Sequence, residues 1–92
     1  GMTDPTIDQI IAGMGEEMLD NMLHALGRPM LPEHVGHLHR NYYCCEPGSP
    51  AATAFAKSGL WTRGRVDDYY EYWSVNERGM TAVRAALRER GK

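Results

Sequence analysis

Large apolar residues recur at steps of three and four from Ile7 to Leu26: Ile7, Ile10, Ile11, Met14, Met18, Leu19, Met22, Leu23 and Leu26. That spacing lines one stripe of a helix and predicts an amphipathic helix over residues 6–27. Thr6 with Gln9 three residues later suits a capping box, Pro5 lies just outside it, and Gly27 suits the far end. Gly13 and Gly15 weaken the element, each by about 1 kcal/mol against alanine. Together they could divide it into a short N-terminal helix and a main one from about Glu16. Asp4, Asp8, Glu16, Glu17 and Asp20 avoid the stripe and lie toward the N-terminal ends, where the helix dipole favours acids.

The pattern changes over residues 49–90, which read as a helix, a hairpin and a closing helix. Ser49 before Pro50 is a helix start, because the serine oxygen accepts from a free amide and proline there gives up no hydrogen bond. Residues 51–58 carry that helix, and Gly59 suits the left-handed turn that ends it. Residues 60–63 and 70–75 are rich in aromatic and branched side chains and read as two strands, with residues 64–69 as the turn. Asn76 can cap the last helix, where Met80, Val83 and Leu87 form the buried stripe and Arg84, Arg88 and Arg90 face water.

Between these regions, residues 28–48 are broken by Pro29, Pro32, Gly36, Pro47 and Gly48. Residues 33–40 could form one or two helical turns after Pro32. Residues 41–45 read as a short strand or a buried extended segment. A structureless connection this long is unusual in a compact domain, so its tyrosines are expected to pack it down. The expected core is Ile10, Ile11, Met18, Leu19, Met22, Leu23, Leu26, Tyr43, Phe55, Leu60, Trp73, Val75, Val83 and Leu87.

Ninety-two residues, 42% of them hydrophobic, are enough for one domain with one core. No apolar run approaches the about 20 residues that cross a bilayer. The N-terminus is acidic and lacks a basic region before an apolar one, so no signal peptide is read there. Gly1 reads as a tag remnant, Met2 as the native start, and residues 1–5 as a disordered N-terminus. Two adjacent cysteines cannot frame a secreted mini-protein, which points to a reduced, cytoplasmic setting. The net charge of −2 hides an uneven distribution: −5 over residues 1–26, +3 over 27–65, −4 over 66–77 and +4 over 78–92. A dedicated nucleic-acid binder shows a strong basic excess, because neutralising phosphate supplies most of its affinity. Any basic face here is local.

His34, His37 and His39, followed by Cys44 and Cys45, are the one metal-like grouping. Their spacing is irregular, and adjacent cysteines do not converge on one ion as the spaced pairs of zinc sites do. They are read instead as surface histidines and partly buried thiols, with no metal and no cofactor. A Cys/His nucleophile would need an orienting third group and an oxyanion site, and neither is visible. No phosphate loop or H-E-x-x-H run occurs, and Asp67-Asp68 reads as turn chemistry. No catalytic residue is assigned, and the chain is read as not an enzyme.

The wording Ser58-Gly59-Leu60-Trp61-Thr62-Arg63, then Ser74-Val75-Asn76-Glu77-Arg78-Gly79, resembles winged-helix regulators. There a glycine-leucine ends the recognition helix, and a V-T-E-x-G run joins the second wing strand to the last helix. The resemblance covers about thirty residues. It implies that Trp73 and Val75 face the core, that Arg63 and Arg65 lie at the wing tip, and that Lys57, Arg63 and Arg65 touch phosphate. The chain departs from that pattern in three ways. Residues 49–59 offer few side chains that reach base edges. The pair of helices that precedes the recognition helix is missing. Asp67, Asp68 and Glu71 in the wing would repel phosphate.

A longer layout, from Leu23 to Leu87, is similar to small proteins encoded by phages and prophages. Its markers are His24-Ala25-Leu26-Gly27, Arg40-Asn41-Tyr42-Tyr43, Gly59-Leu60-Trp61 and Val75-Asn76-Glu77-Arg78-Gly79. This resemblance implies a phage origin and a fold, and gives Arg40-Asn41-Tyr42-Tyr43 a structural part: a tyrosine under the hairpin and Asn41 tying a turn. The expectation is an α+β, mainly helical single domain of residues 1–92 with a two-stranded hairpin, winged-helix-like. Its expected role is a phage accessory or protein-interaction module with a phage or host protein as partner, or a homodimer through Met14, Met18 and Met22. The alternative is a degenerate winged-helix DNA-binding protein. No membrane partner is expected.

Overall fold

Each helix ends where a side chain or glycine satisfies the free backbone groups, and these ends fix the frame of the fold. A computed structural model describes residues 7–91, with side chains described from Gly15 onward. Helix α1 spans Ile7–Ala25 and breaks at Gly15, whose φ of 73° and ψ of 161° are not helical. The division at the glycine pair is therefore real, and the main segment starts at Glu16. At the far end, the Gly27 amide donates to the His24 carbonyl and the Arg28 amide to that of Leu23. This paired closure needs the left-handed backbone that Gly27 adopts at φ 84°. The capping box at Thr6 and the side chains of the expected core residues Ile10 and Ile11 lie outside what is described.

Helix α2 spans Pro50–Ser58, with the Ser49 hydroxyl accepting from the Ala52 amide and Gly59 closing it in the left-handed region. Helix α3 spans Glu77–Arg90 and is capped by Asn76, whose Oδ1 accepts from the Gly79 amide at 2.9 Å. Strands β2 (Trp61–Val66) and β3 (Glu71–Val75) form the hairpin, with a register shift between Arg63 and Val66.

The sheet has three strands rather than two. Strand β1 (Tyr43–Cys45) pairs antiparallel with β3, giving the order β1-β3-β2. Asn41 sets this pairing: its side-chain amide donates to the Val75 carbonyl at 2.8 Å and its Oδ1 accepts from the Val75 amide at 2.7 Å. Asn41 thus ties two strands together, not a turn.

The core lies between the inner sheet face, α2 and the α1–α3 pair. Phe55 stacks on Trp61 with ring centroids 3.9 Å apart and meets Trp73 and Tyr43 edge-on, at 5.8 and 5.2 Å. Aromatic geometry of this kind adds to the area that the rings bury. Leu19, Met22, Leu23 and Leu26 of the α1 region join Val83, Ala86 and Leu87 of α3 in the same core. Met18 and Tyr43 are half-buried against it.

Trp61 is buried too, although strict alternation after Leu60 would turn it outward. Leu60 precedes the strand, so both residues can face inward. The connection is packed down by Tyr43 and by Val35, which is fully buried, while Tyr42 is exposed. After Pro32 the chain makes one short 3-10 turn, Pro32–His34. The result is a small α+β domain with three helices and a three-stranded antiparallel sheet, and no described helix is long and apolar enough to cross a membrane.

Candidate functional site

Two surfaces of the domain carry side chains beyond what the fold requires. The first is the face formed by α2 and the hairpin, which holds Lys57, Arg63 and Arg65. Lys57 lies in the last turn of α2 and is exposed. Arg63 pairs in register with Trp73, so it sits along the strand and not at the tip. Its Nε lies 3.1 Å from Oε1 of Glu71, a carboxylate only 4% exposed, whose other oxygen accepts from the Gly48 amide at 3.2 Å. A buried charge of this kind persists only when paired and hydrogen-bonded. Glu71 therefore fixes Arg63 in place.

Arg65 is near the tip, and its guanidinium lies 3.6 Å from Asp67. Oδ1 of Asp67 also accepts from the amides of Tyr69 and Tyr70, both at 2.8 Å, and these bonds hold its carboxyl below the usual pKa. Beside Arg63 a shallow depression of about 270 Å³ is lined by Gly48, Ala52, Thr53, Ala56, Glu71 and Trp73. The buried indole N–H of Trp73 has no hydrogen-bond partner among the described residues. All three basic residues thus lie on α2 and the hairpin, but two of the three face an acid of their own chain.

The second surface is a groove of about 630 Å³ between the end of α1, the segment around residues 28–32 and the last turn of α3. Leu23, Met30, Leu31 and Leu87 give it an apolar floor and lip, and Arg28, Arg88 and Arg90 line it with positive charge. Met30 is 84% exposed and Leu31 48%. Arg28 pairs with Asp20 at 3.0 Å and Arg90 with Glu16 at 3.1 Å, and both acids are exposed. Ion pairs so open to water are weak and exchange readily. Among the described residues the lining is apolar and basic.

This surface was not read from the sequence. The one signal was Met30-Leu31 between two prolines, large apolar residues with no place in any periodic element.

The methionines assigned to an interface are placed differently. Met22 has no exposed surface and lies in the core. Met18 is half-buried, with the Trp61 indole N–H 3.2 Å from its sulfur. The side chain of Met14 lies outside the described residues. His34, His37 and His39 are exposed. Cys44 and Cys45 point to opposite faces of β1, and no three metal-ligating side chains come together among the described residues. Burial pushes the Cys45 thiol pKa up, with Glu71 and Cys44 adding to the shift. No family model, curated protein or solved structure matches the chain.

Proposed function

We propose that this chain is a non-enzymatic, phage-related accessory module that acts in the cytoplasm by holding a helical segment of a partner chain. The observation that carries the reading is the groove beside Met30 and Leu31. Exposed apolar residues bordered by charge are the mark of an interaction surface, and an apolar groove suits an amphipathic helix. Three arginines around it select for acidic residues beside the apolar ones. The phage ancestry rests on the H-A-L-G, R-N-Y-Y and V-N-E-R-G runs. The test is a display selection from amphipathic twelve-residue helices against the full chain. Selected helices are expected to carry apolar residues at helical spacing with flanking acids, and to lose binding to the Leu31→Asp variant. A selection that returns no groove-dependent helix would overturn the reading.

A second reading, a degenerate winged-helix DNA-binding protein, is favoured by α2 and the hairpin lying together, with Arg63 held beside Thr53 and Ala56. It predicts salt-sensitive binding to a labelled mixed-sequence duplex, with a slope of roughly 0.9 log units per phosphate contact. Lys57→Ala with Arg65→Ala is the suitable variant, since Arg63→Ala would strip Glu71 of its partner. Absence of binding at low salt removes this reading.

A further inference from the structure

We infer that the groove is filled by the N-terminal helix of a second copy of this chain, an inference that rests on the groove being a helix-binding surface. The sequence carries a matching ligand. Ile7, Ile10, Ile11 and Met14 fall at i, i+3, i+4 and i+7, the anchor spacing of a helix laid into an apolar groove. Residues 7–14 are helical up to the break at Gly15. The stretch before Gly15 contains Asp4 and Asp8 and no lysine or arginine, while the groove is lined by Arg28, Arg88 and Arg90. The two surfaces are complementary in charge as well as in apolar character.

The chain's own copy of this helix joins the rest of α1 at Gly15, beside the Glu16 carboxylate that pairs with Arg90 at the groove's edge. Leu23, the α1 residue in the groove, lies two helical turns beyond Gly15. To fill the groove, residues 7–14 would have to run back along α1. Two antiparallel helices need a connection of about 2–5 residues, and Gly15 is a single non-helical residue flanked by helix on both sides. A second copy meets no such limit. Reciprocal exchange, each copy's helix in the other's groove, closes as a two-fold dimer with both sites filled.

Sedimentation equilibrium of the full chain from low to high protein concentration is expected to show a monomer passing to a dimer. Ile10→Asp and Leu31→Asp should each remain monomeric while keeping the helical circular dichroism of the parent. Arg88→Glu should weaken the dimer, and adding Asp8→Arg to it should restore association. A fluorescein-labelled peptide of residues 3–16 should bind the monomeric Ile10→Asp chain, whose groove is open, and bind Leu31→Asp about tenfold or more weakly.

A monomer at every concentration with no peptide binding overturns the inference, and so does a dimer that survives Leu31→Asp. If the peptide fails while selected helices still bind the groove, only the second-copy assignment falls. If both fail, the interaction-module reading falls with it.

Discussion

Asn41 shows how much one side chain can fix. Its amide is paired to both backbone groups of Val75, which closes the end of β3 and starts β1 beside it. Truncation would leave a part-buried N–H and C=O without partners. Asn41→Ala is therefore expected to lower the unfolding free energy by about 2 kcal/mol, measured by urea denaturation. A change within experimental error would mean that water replaces the amide. Tyr43, two residues on, turns its ring toward Phe55 and Trp61. Asp67 makes a pH prediction. Its pKa in the folded chain lies below the ordinary carboxylate value of about 3.9 because two amides bind the charged form. Its contribution to stability is thus full above that ordinary value and is lost as pH falls through the lower, folded value. The Tyr69 and Tyr70 amide signals should titrate with a midpoint below about 3.9; a midpoint at or above it would contradict the hydrogen-bond assignment.

Helix α3 and the hairpin meet at Gly79. A β-carbon there would run into the Leu60 carbonyl and a methyl group of Val75. The glycine in the V-N-E-R-G run is thus a packing requirement, with Asn76 three residues before it as the cap. Helix propensity alone says that Gly79→Ala should stabilise α3 by about 1 kcal/mol. The close approach reverses the sign, and a loss of about 1–3 kcal/mol is expected on thermal or urea unfolding. A stabilised variant would show that the helix can draw back from Leu60 without loss. The break in α1 is the counterpart: Gly15 interrupts a stripe that is continuous in the sequence, so its two halves need not cover the same core.

At the scale of the whole molecule, the apolar residues divide into those that make the core and those left at the surface. Met22 belongs to the first group, with no exposed area, and Leu31 to the second. Met22→Asp would bury an unpaired carboxylate and should unfold the chain or cost more than about 3 kcal/mol. Leu31→Asp should change stability by no more than about 0.5 kcal/mol. Circular dichroism with urea titration of both variants checks the division. A folded, monomeric Met22→Asp chain would return that methionine to the interface. The basic residues divide in the same way. Arg63 and Arg65 lie on the hairpin beside Glu71 and Asp67, while Arg28, Arg88 and Arg90 gather around the apolar groove, Arg28 and Arg90 paired there with the exposed Asp20 and Glu16.

The sequence by itself determined the elements whose signals are local. Ser49-Pro50 and Asn76 start helices, Gly27 and Gly59 end them, and the stripe from Met18 to Leu26 belongs to one buried face, because caps and helical periodicity act over a few residues. Trp73 and Val75 were expected in the core from the winged-helix resemblance, and both are buried. What only the tertiary structure decided depends on partners far along the chain. Residues 43–45 become a strand because Asn41 and Val75 pair across 34 positions, and Glu71 becomes a buried carboxylate because Arg63 and Gly48 converge on it. Trp61 turns inward because Leu60 stands outside its strand. The groove has the same origin: Leu23, Met30, Leu31 and Leu87 belong to three separate stretches, and no local pattern records that the fold brings their side chains together.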